Sequence, residues 1–200
     1  MNRLSPAAAL LVCFAAPAFA EDAAAAHERD LRKFLVAEHE KLAQACLEKG
    51  LLEEAVGEFR SILAADPGNE TAERMLSDRG RLWVTDWPRE THEAYLEYRD
   101  LRKILNYEAS ERFLALGSEK KTSGNPSGAK AAWLRALDYD ADYAEARALL
   151  GQAKADGAGW VPKADAEKRA RGLLPYGGKW LPAAEVKARR AKWADAWEVK

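Results

Sequence analysis

The chain is poor in the residues from which most catalytic and metal sites are built. It has two cysteines and three histidines in 200 residues. Cys13 lies in the apolar leader described below, so Cys46 has no partner for an internal disulfide once that leader is removed. His27, His39 and His92 are each followed by glutamate, but none has the second histidine that the zinc motif His-Glu-x-x-His requires. We therefore expect no metal site and no cofactor.

Motifs that are typical of enzymes are missing from the sequence as well. It contains no nucleophile elbow, no phosphate-binding loop and no dinucleotide fingerprint. His39 and Cys46 lie seven residues apart, which is about 10 Å of helix rise and too far for a hydrogen-bonded nucleophile pair. We interpret both residues as packing positions. The sequence thus predicts a non-enzymatic protein with no catalytic residues.

No apolar run reaches the roughly 20 residues that a membrane-spanning helix needs. The segment 1–20 is instead typical of a secretory signal. Arg3 supplies a positive charge, residues 7–16 form a short apolar segment, and Ala18-Phe19-Ala20 matches a cleavage site of small residues. We expect cleavage after Ala20 and an extracytoplasmic protein, either periplasmic or secreted. That location disfavours nucleic acid as a partner.

What the chain does contain is one block of apolar residues that occurs twice, at a constant offset from Ala55 to Ala129. Both copies place a small residue, an aromatic residue and an apolar pair at helical spacing before an acidic stop: Ala55, Phe59, Ile62, Leu63 and Asp66, then Ala129, Trp133, Ala136, Leu137 and Asp140. This periodicity predicts helices over 28–49, 52–65, 70–79, 90–121, 128–137 and 142–155. Whether 90–121 is one helix or two is left open by the sequence.

The two copies, within residues 36–76 and 110–150, resemble the tetratricopeptide repeat (TPR). Each unit of that family is a helical hairpin of about 34 residues, and the Ala-x-x-x-aromatic pattern belongs to its second helix. The resemblance implies an all-α fold, a TPR-like solenoid of helical hairpins whose concave face is lined by the first helix of each unit. It implies partner-binding positions at Glu40, Gln44, Leu47, Leu114, Ser118 and Lys121.

A shorter repeat follows near the C-terminus. Trp160-Val161-Pro162 recurs further along the chain as Trp180-Leu181-Pro182. Asp165 and Glu185 follow the two prolines at equal distances, which favours a helix start after each proline. Residues 173–179 have the composition of a turn and fit a small hairpin, whereas no other strand is predicted. The pattern is similar to segments that accompany tetratricopeptide units in secreted bacterial proteins.

We therefore expect a signal peptide over 1–20, a helical repeat domain over 21–155, and a small Trp-containing appendage over 156–200. Residues 163–200 hold ten Lys or Arg and five Asp or Glu, so this tail is basic. The leading functional prediction is a scaffold or adaptor that binds a protein or peptide. The alternative is a cell-envelope module that binds glycan or an anionic polymer through Trp160 and Trp180. A third interpretation is that these tryptophans cap the repeat domain.

Overall fold

The computed structural model describes residues 16–77 and 90–198, with side chains placed over 23–77 and 90–193. The chain is mostly helical. Its helices are α1 (Ala16–Glu48), α2 (Leu52–Ala65), α3 (Glu70–Ser77), α4 (His92–Thr122), α5 (Pro126–Tyr139), α6 (Ala144–Leu149), α7 (Lys163–Ala170) and α8 (Ala183–Glu198). Its strands are β1 (Gln152–Ala155), β2 (Gly159–Pro162), β3 (Leu173–Tyr176) and β4 (Lys179–Pro182). Within the described ranges, no helix combines the length and apolarity needed to cross a bilayer.

Most helix boundaries in the first half follow the periodicity of the sequence. The bounds of α2 match the prediction, and α1 ends just before Gly50, whose φ of 71° breaks the helix. Helix α4 is continuous, and the Thr91 hydroxyl caps its start by accepting a hydrogen bond from the Ala94 amide at 3.2 Å. Residues 1–15 of the predicted signal lie outside the described part of the chain, as do residues 78–89, which contain Trp83-Val84-Thr85, a fainter copy of the C-terminal Trp-Val/Leu-Pro repeat.

By its contacts the chain divides into two compact units, residues 1–143 and 144–200. The domain boundary predicted from the sequence lies after residue 155, whereas the contacts assign α6 and β1 to the second unit. The first unit contains two antiparallel helical hairpins, α1 with α2 and α4 with α5. The core of the first hairpin is a cluster of small and aliphatic residues around Phe59. Trp133 takes the place of Phe59 in the second hairpin and is likewise buried.

The two hairpins pack through α1 and α4, which run in opposite directions. Near the start of α1, Glu28 pairs with Lys120 at 2.6 Å, close to the end of α4. Near the end of α1, Lys49 pairs with Glu97 at the start of α4. The hairpins are therefore related by an approximate two-fold rotation, whereas units stacked by translation would place equivalent helices parallel. The TPR resemblance stays a prediction from the sequence pattern.

The second unit contains β-structure that the sequence analysis did not predict. The predicted helix over 142–155 ends at Leu149, and Gln152–Ala155 forms a strand that pairs antiparallel with Gly159–Pro162. Gly151, with a φ of 74°, ends the helix. The sequence Gln-Ala-Lys-Ala has no β preference of its own, so pairing with the Trp160-Val161 strand decides its conformation. The prediction of a helix that runs to residue 155 is therefore wrong, and the all-α description holds only for the first unit of the described chain.

The same structural module then occurs a second time. Strands β3 and β4 form the small hairpin predicted over 173–179, closed by Gly177 and Gly178, which both have positive φ as a tight two-residue turn requires. Each module is closed by an equivalent hydrogen bond of 2.9 Å, from the amide of Lys163 to the carbonyl of Gly151, and from Ala183 to Gly172. The short Trp-Val/Leu-Pro sequence repeat thus corresponds to a repeated unit of hairpin plus helix.

Candidate functional site

The structure separates the six residues that the TPR resemblance assigned to a partner-binding groove. Glu40 and Gln44 are exposed on α1. Leu47 is only 4% exposed and belongs to the core of the first hairpin, so a partner cannot reach it. Glu28 and Lys120 are paired, so they lie at the same height along the axes of α1 and α4. Gln44 lies about 24 Å further along the axis of α1 than Glu28. The groove residues of α1 therefore lie toward the opposite end of the helix pair from Lys121.

The three predicted groove residues of α4 are also engaged within their own hairpin. Leu114 is half-buried, and its carbonyl accepts a hydrogen bond from the Ser118 hydroxyl at 3.0 Å. Lys121 is exposed, with its ammonium 5.8 Å from the centre of the Trp133 ring. This contact is a cation–π interaction across α4 and α5. The two sets of predicted residues thus do not form one continuous groove.

A carboxylate buried inside the first unit takes hydrogen bonds from three side chains. Glu58 of α2 is 1% exposed. Its Oε2 accepts from Nδ1 of His39 at 2.6 Å and from the guanidinium of Arg102, and its Oε1 accepts from the Tyr98 hydroxyl at 2.7 Å. The Tyr139 ring of α5 stacks on His39 at a centroid distance of 6.4 Å. We call these five residues the Glu58 network; they come from all four helices of the two hairpins.

The network keeps its carboxylate charged despite burial. Burial by itself raises the pKa of Glu58, but the hydrogen bond from His39, the charge of Arg102 and the hydrogen bond from Tyr98 outweigh it and lower the pKa below its usual value of 4.5. Burial, together with the hydrogen bond to this carboxylate, raises the pKa of the Tyr98 hydroxyl. Glu58 and His39 are buried and the other three members are half-buried, so the network joins the two hairpins through paired polar side chains.

Stability should therefore depend on pH through Glu58. A lowered pKa in the folded state means that the stabilisation is present above the usual value of 4.5 and is lost as the pH falls through the lower folded value. We expect Glu58→Gln to flatten the loss of stability between about pH 5 and pH 2. Urea denaturation of both proteins across that range measures the difference. If stability falls equally steeply with pH in both proteins, the assignment of this pH dependence to Glu58 is wrong. Glu28, whose pKa is also lowered, is present in both proteins and does not contribute to the difference.

Cys46 is a packing residue in the structure, as the sequence analysis interpreted it. It is 1% exposed, and burial, with the nearby charge of Glu58, raises the pKa of its thiol to about 12. Because the thiolate is the reactive form, we expect Cys46 to react with a thiol reagent on the timescale of unfolding rather than of mixing. Labelling rates with and without urea test this. Fast labelling of the native protein would show that Cys46 is accessible.

A cleft of about 340 Å³ opens between the hairpins near the Glu28–Lys120 pair. Its floor is apolar and includes Leu31, Leu35, Ala65, Phe113, Leu116 and Ala132. Its rim carries charged side chains, namely Glu28, Arg32, Lys120 and Arg135. Lys120 and Arg32 donate to Glu28 at 2.6 and 2.9 Å, and the hydrogen bond from Lys120 is the main cause of the lowered pKa of Glu28. A second, more polar cleft of about 430 Å³ shares Glu28 and Lys120 with the first.

Trp160 and Trp180 of the second unit are in contact with cations of that unit. Lys168 and Arg169 lie 4.8 and 5.9 Å from the centre of the Trp180 ring. Lys154 and Arg147 both lie 5.8 Å from the centre of the Trp160 ring. Both rings are half-buried. These contacts favour a structural role inside the hairpin–helix modules over an open stacking platform for a sugar.

Comparison with known proteins leaves the geometry as the only guide to function. No protein-family model, no curated protein and no solved structure matches the chain. In the part of the chain that the structure describes, no group of three or more His, Cys, Asp or Glu side chains is arranged to hold a metal ion. The first cleft, with its apolar floor and charged rim, has the mixed lining of a ligand site.

Sequence reasoning missed both the network and the cleft, for different reasons. Glu58 lies between Ala55 and Ile62 on the apolar face of α2, and a lone carboxylate on such a face is a signal that could have been found. The cleft exists because Ala65 and Ala132 are small. Alanine is common on packed helix faces, so nothing in the sequence alone marks these two as the lining of a cavity.

Proposed function

We propose that the protein is a non-enzymatic, extracytoplasmic scaffold that binds a protein or peptide partner in the cleft between its helical hairpins. The observation that carries the proposal is the cleft itself, with an apolar floor for side chains and a charged rim for orientation. The predicted secretion signal supports the location. The repeated Ala-x-x-x-aromatic pattern supports the further proposal that the hairpins are divergent TPR-like units.

Site-specific photocrosslinking tests the binding site. A photoreactive amino acid replaces Arg32 on the cleft rim of the full chain, and in a matched control it replaces Lys41, which is exposed on the same helix but lies outside the cleft lining. We expect crosslinks to a discrete envelope protein from position 32 and none from position 41. Filling the cleft floor with Ala132→Phe should abolish them. Equal crosslinking from both positions, or crosslinks that survive the filling, would contradict the proposal.

The envelope-binding alternative is favoured by one observation in the second unit. Several exposed cations have no carboxylate within 4 Å among the described side chains: Lys163, Arg171, Lys179, Lys187, Arg190 and Lys192. Such charges suit an anionic polymer. On this alternative, the protein co-sediments with purified wall material, less so in high salt, and not after deletion of 157–200. Sedimentation that is unaffected by the deletion would exclude it.

A further inference from the structure

The approximate two-fold rotation that relates the two hairpins also relates two sites between them. It places the cleft at the position equivalent to the Glu58 network. The constant offset between the two sequence blocks gives the correspondence of residues. It pairs three members of the network with three residues that line the cleft: Glu58 with Ala132, His39 with Phe113, and Tyr139 with Ala65. Tyr139 and Ala65 are the last residues of α5 and α2, so the two sites agree in local structure as well.

The two sites differ in what fills them. In the Glu58 network, the carboxylate of Glu58 and the ring of Tyr139 occupy the space between the hairpins. In the cleft, two alanines stand at the corresponding places and leave about 340 Å³ open. The chain therefore lacks, at this end, one carboxylate and one aromatic ring that it supplies for itself at the other end.

The lining of the cleft is suited to both missing groups. Phe113 forms part of the floor; its ring stacks on Tyr139 at a centroid distance of 5.7 Å, and the Arg135 guanidinium lies 5.7 Å from its centre. The rim carries three cations, Arg32, Lys120 and Arg135, against Glu28, and Asp138 pairs with Arg135 at 2.8 Å, so one positive charge is in excess. Glu28 stands at the position equivalent to Arg102 of the network, and its negative charge repels a ligand carboxylate. The ligand carboxylate must therefore lie next to the rim cations and away from Glu28. Their excess positive charge favours an acidic ligand.

We propose that the cleft binds an internal peptide segment that presents an aromatic side chain close to an acidic one. This rests on the proposed scaffold function and specifies the chemistry of the partner. The ligand ring packs beside Phe113, as Tyr139 packs beside His39 in the network, and the carboxylate meets the cations of the rim. The ligand ring thus corresponds to Tyr139 of the first site, whereas the ligand carboxylate lies nearer the rim cations than the position equivalent to Glu58.

The test is calorimetric titration of the full chain with a peptide capped at both ends, acetyl-Gly-Glu-Ala-Tyr-Gly-amide. Caps exclude any contribution of a terminal carboxylate. We expect micromolar to millimolar binding, weakened about tenfold or more when the peptide glutamate is replaced by lysine or the tyrosine by alanine. Peptide binding that ignores both replacements would overturn the proposal, as would no binding at millimolar concentration.

Variants of the protein place the binding in the cleft. Ala65→Tyr supplies the missing ring from the chain itself and should abolish binding, while Ala37→Tyr, on the exposed side of α1, should leave it unchanged. Circular dichroism checks that both variants remain helical. If Ala65→Tyr does not fold, Arg135→Glu serves instead and should weaken binding about tenfold or more. Binding that survives in the folded variant would refute the site.

The scaffold proposal and this inference fail separately. If crosslinking from position 32 identifies a partner but the aromatic–acidic peptide does not bind, the scaffold function stands and the proposed ligand chemistry is wrong. If neither experiment gives a signal, both are wrong. Binding of the peptide at a site that Ala65→Tyr does not block would refute this inference, and the crosslinking result alone would then decide the scaffold proposal.

Discussion

Replacing Glu58 by glutamine should lower the free energy of unfolding by about 3 kcal/mol, because it leaves the Arg102 charge and the His39 ring without their buried counter-charge. Glutamine has nearly the same shape, so the loss reports on charge and hydrogen bonding and not on a cavity. Urea denaturation at neutral pH, followed by circular dichroism, measures it.

Glu53→Gln is the matched control for this substitution. Glu53 lies on the same helix but is exposed in its first turn, so its loss should change the free energy of unfolding by no more than about 0.5 kcal/mol. If Glu58→Gln also stays within that range, the network contributes nothing net to stability. Its role would then be confined to specifying how the hairpins pack.

Gly117→Ala should destabilise the protein by about 2 kcal/mol, although alanine is the better helix former. A Cβ at position 117 would lie 2.5 Å from Cδ1 of the buried Trp133 and 3.1 Å from the carbonyl oxygen of Ala129. Neither the tryptophan nor the backbone can retreat without repacking α4 against α5. Thermal and urea unfolding of the variant measure the loss.

Gly57→Ala should have the opposite effect on the free energy of unfolding. No atom lies within 4 Å of a Cβ built at this helical glycine, and its counterpart in the other hairpin is Ala131. The substitution should therefore stabilise the protein by about 0.5–1 kcal/mol. If Gly117→Ala were equally stabilising, Trp133 could not be packed as the structure shows.

The two hairpins also show which features of the fold the sequence could predict. Helix α2 was predicted because the apolar period and the acidic stop at Asp66 are local signals. The antiparallel pairing of α1 with α4 depends on contacts such as Glu28 with Lys120, which are 92 residues apart. No local pattern encodes a contact of that separation.

The same reasoning applies to the misplaced strand and to the site. Gln152–Ala155 is locally compatible with a helix, and only its partner strand makes it extended. The predicted groove residues followed from assuming that equivalent helices are parallel, so the antiparallel arrangement separates Gln44 from Lys121. The cleft is also hard to predict from sequence, because it results from the small size of Ala65 and Ala132 and not from a recognisable residue pattern.

The approximate two-fold relation between the hairpins has a consequence for the origin of the chain. Two copies of one sequence block that face each other about a rotation axis are arranged like the subunits of a homodimer joined into a single polypeptide. In such a homodimer both ends of the interface would have been identical by necessity. A single polypeptide has no such constraint, and in this chain one end holds the Glu58 network while the other holds the open cleft.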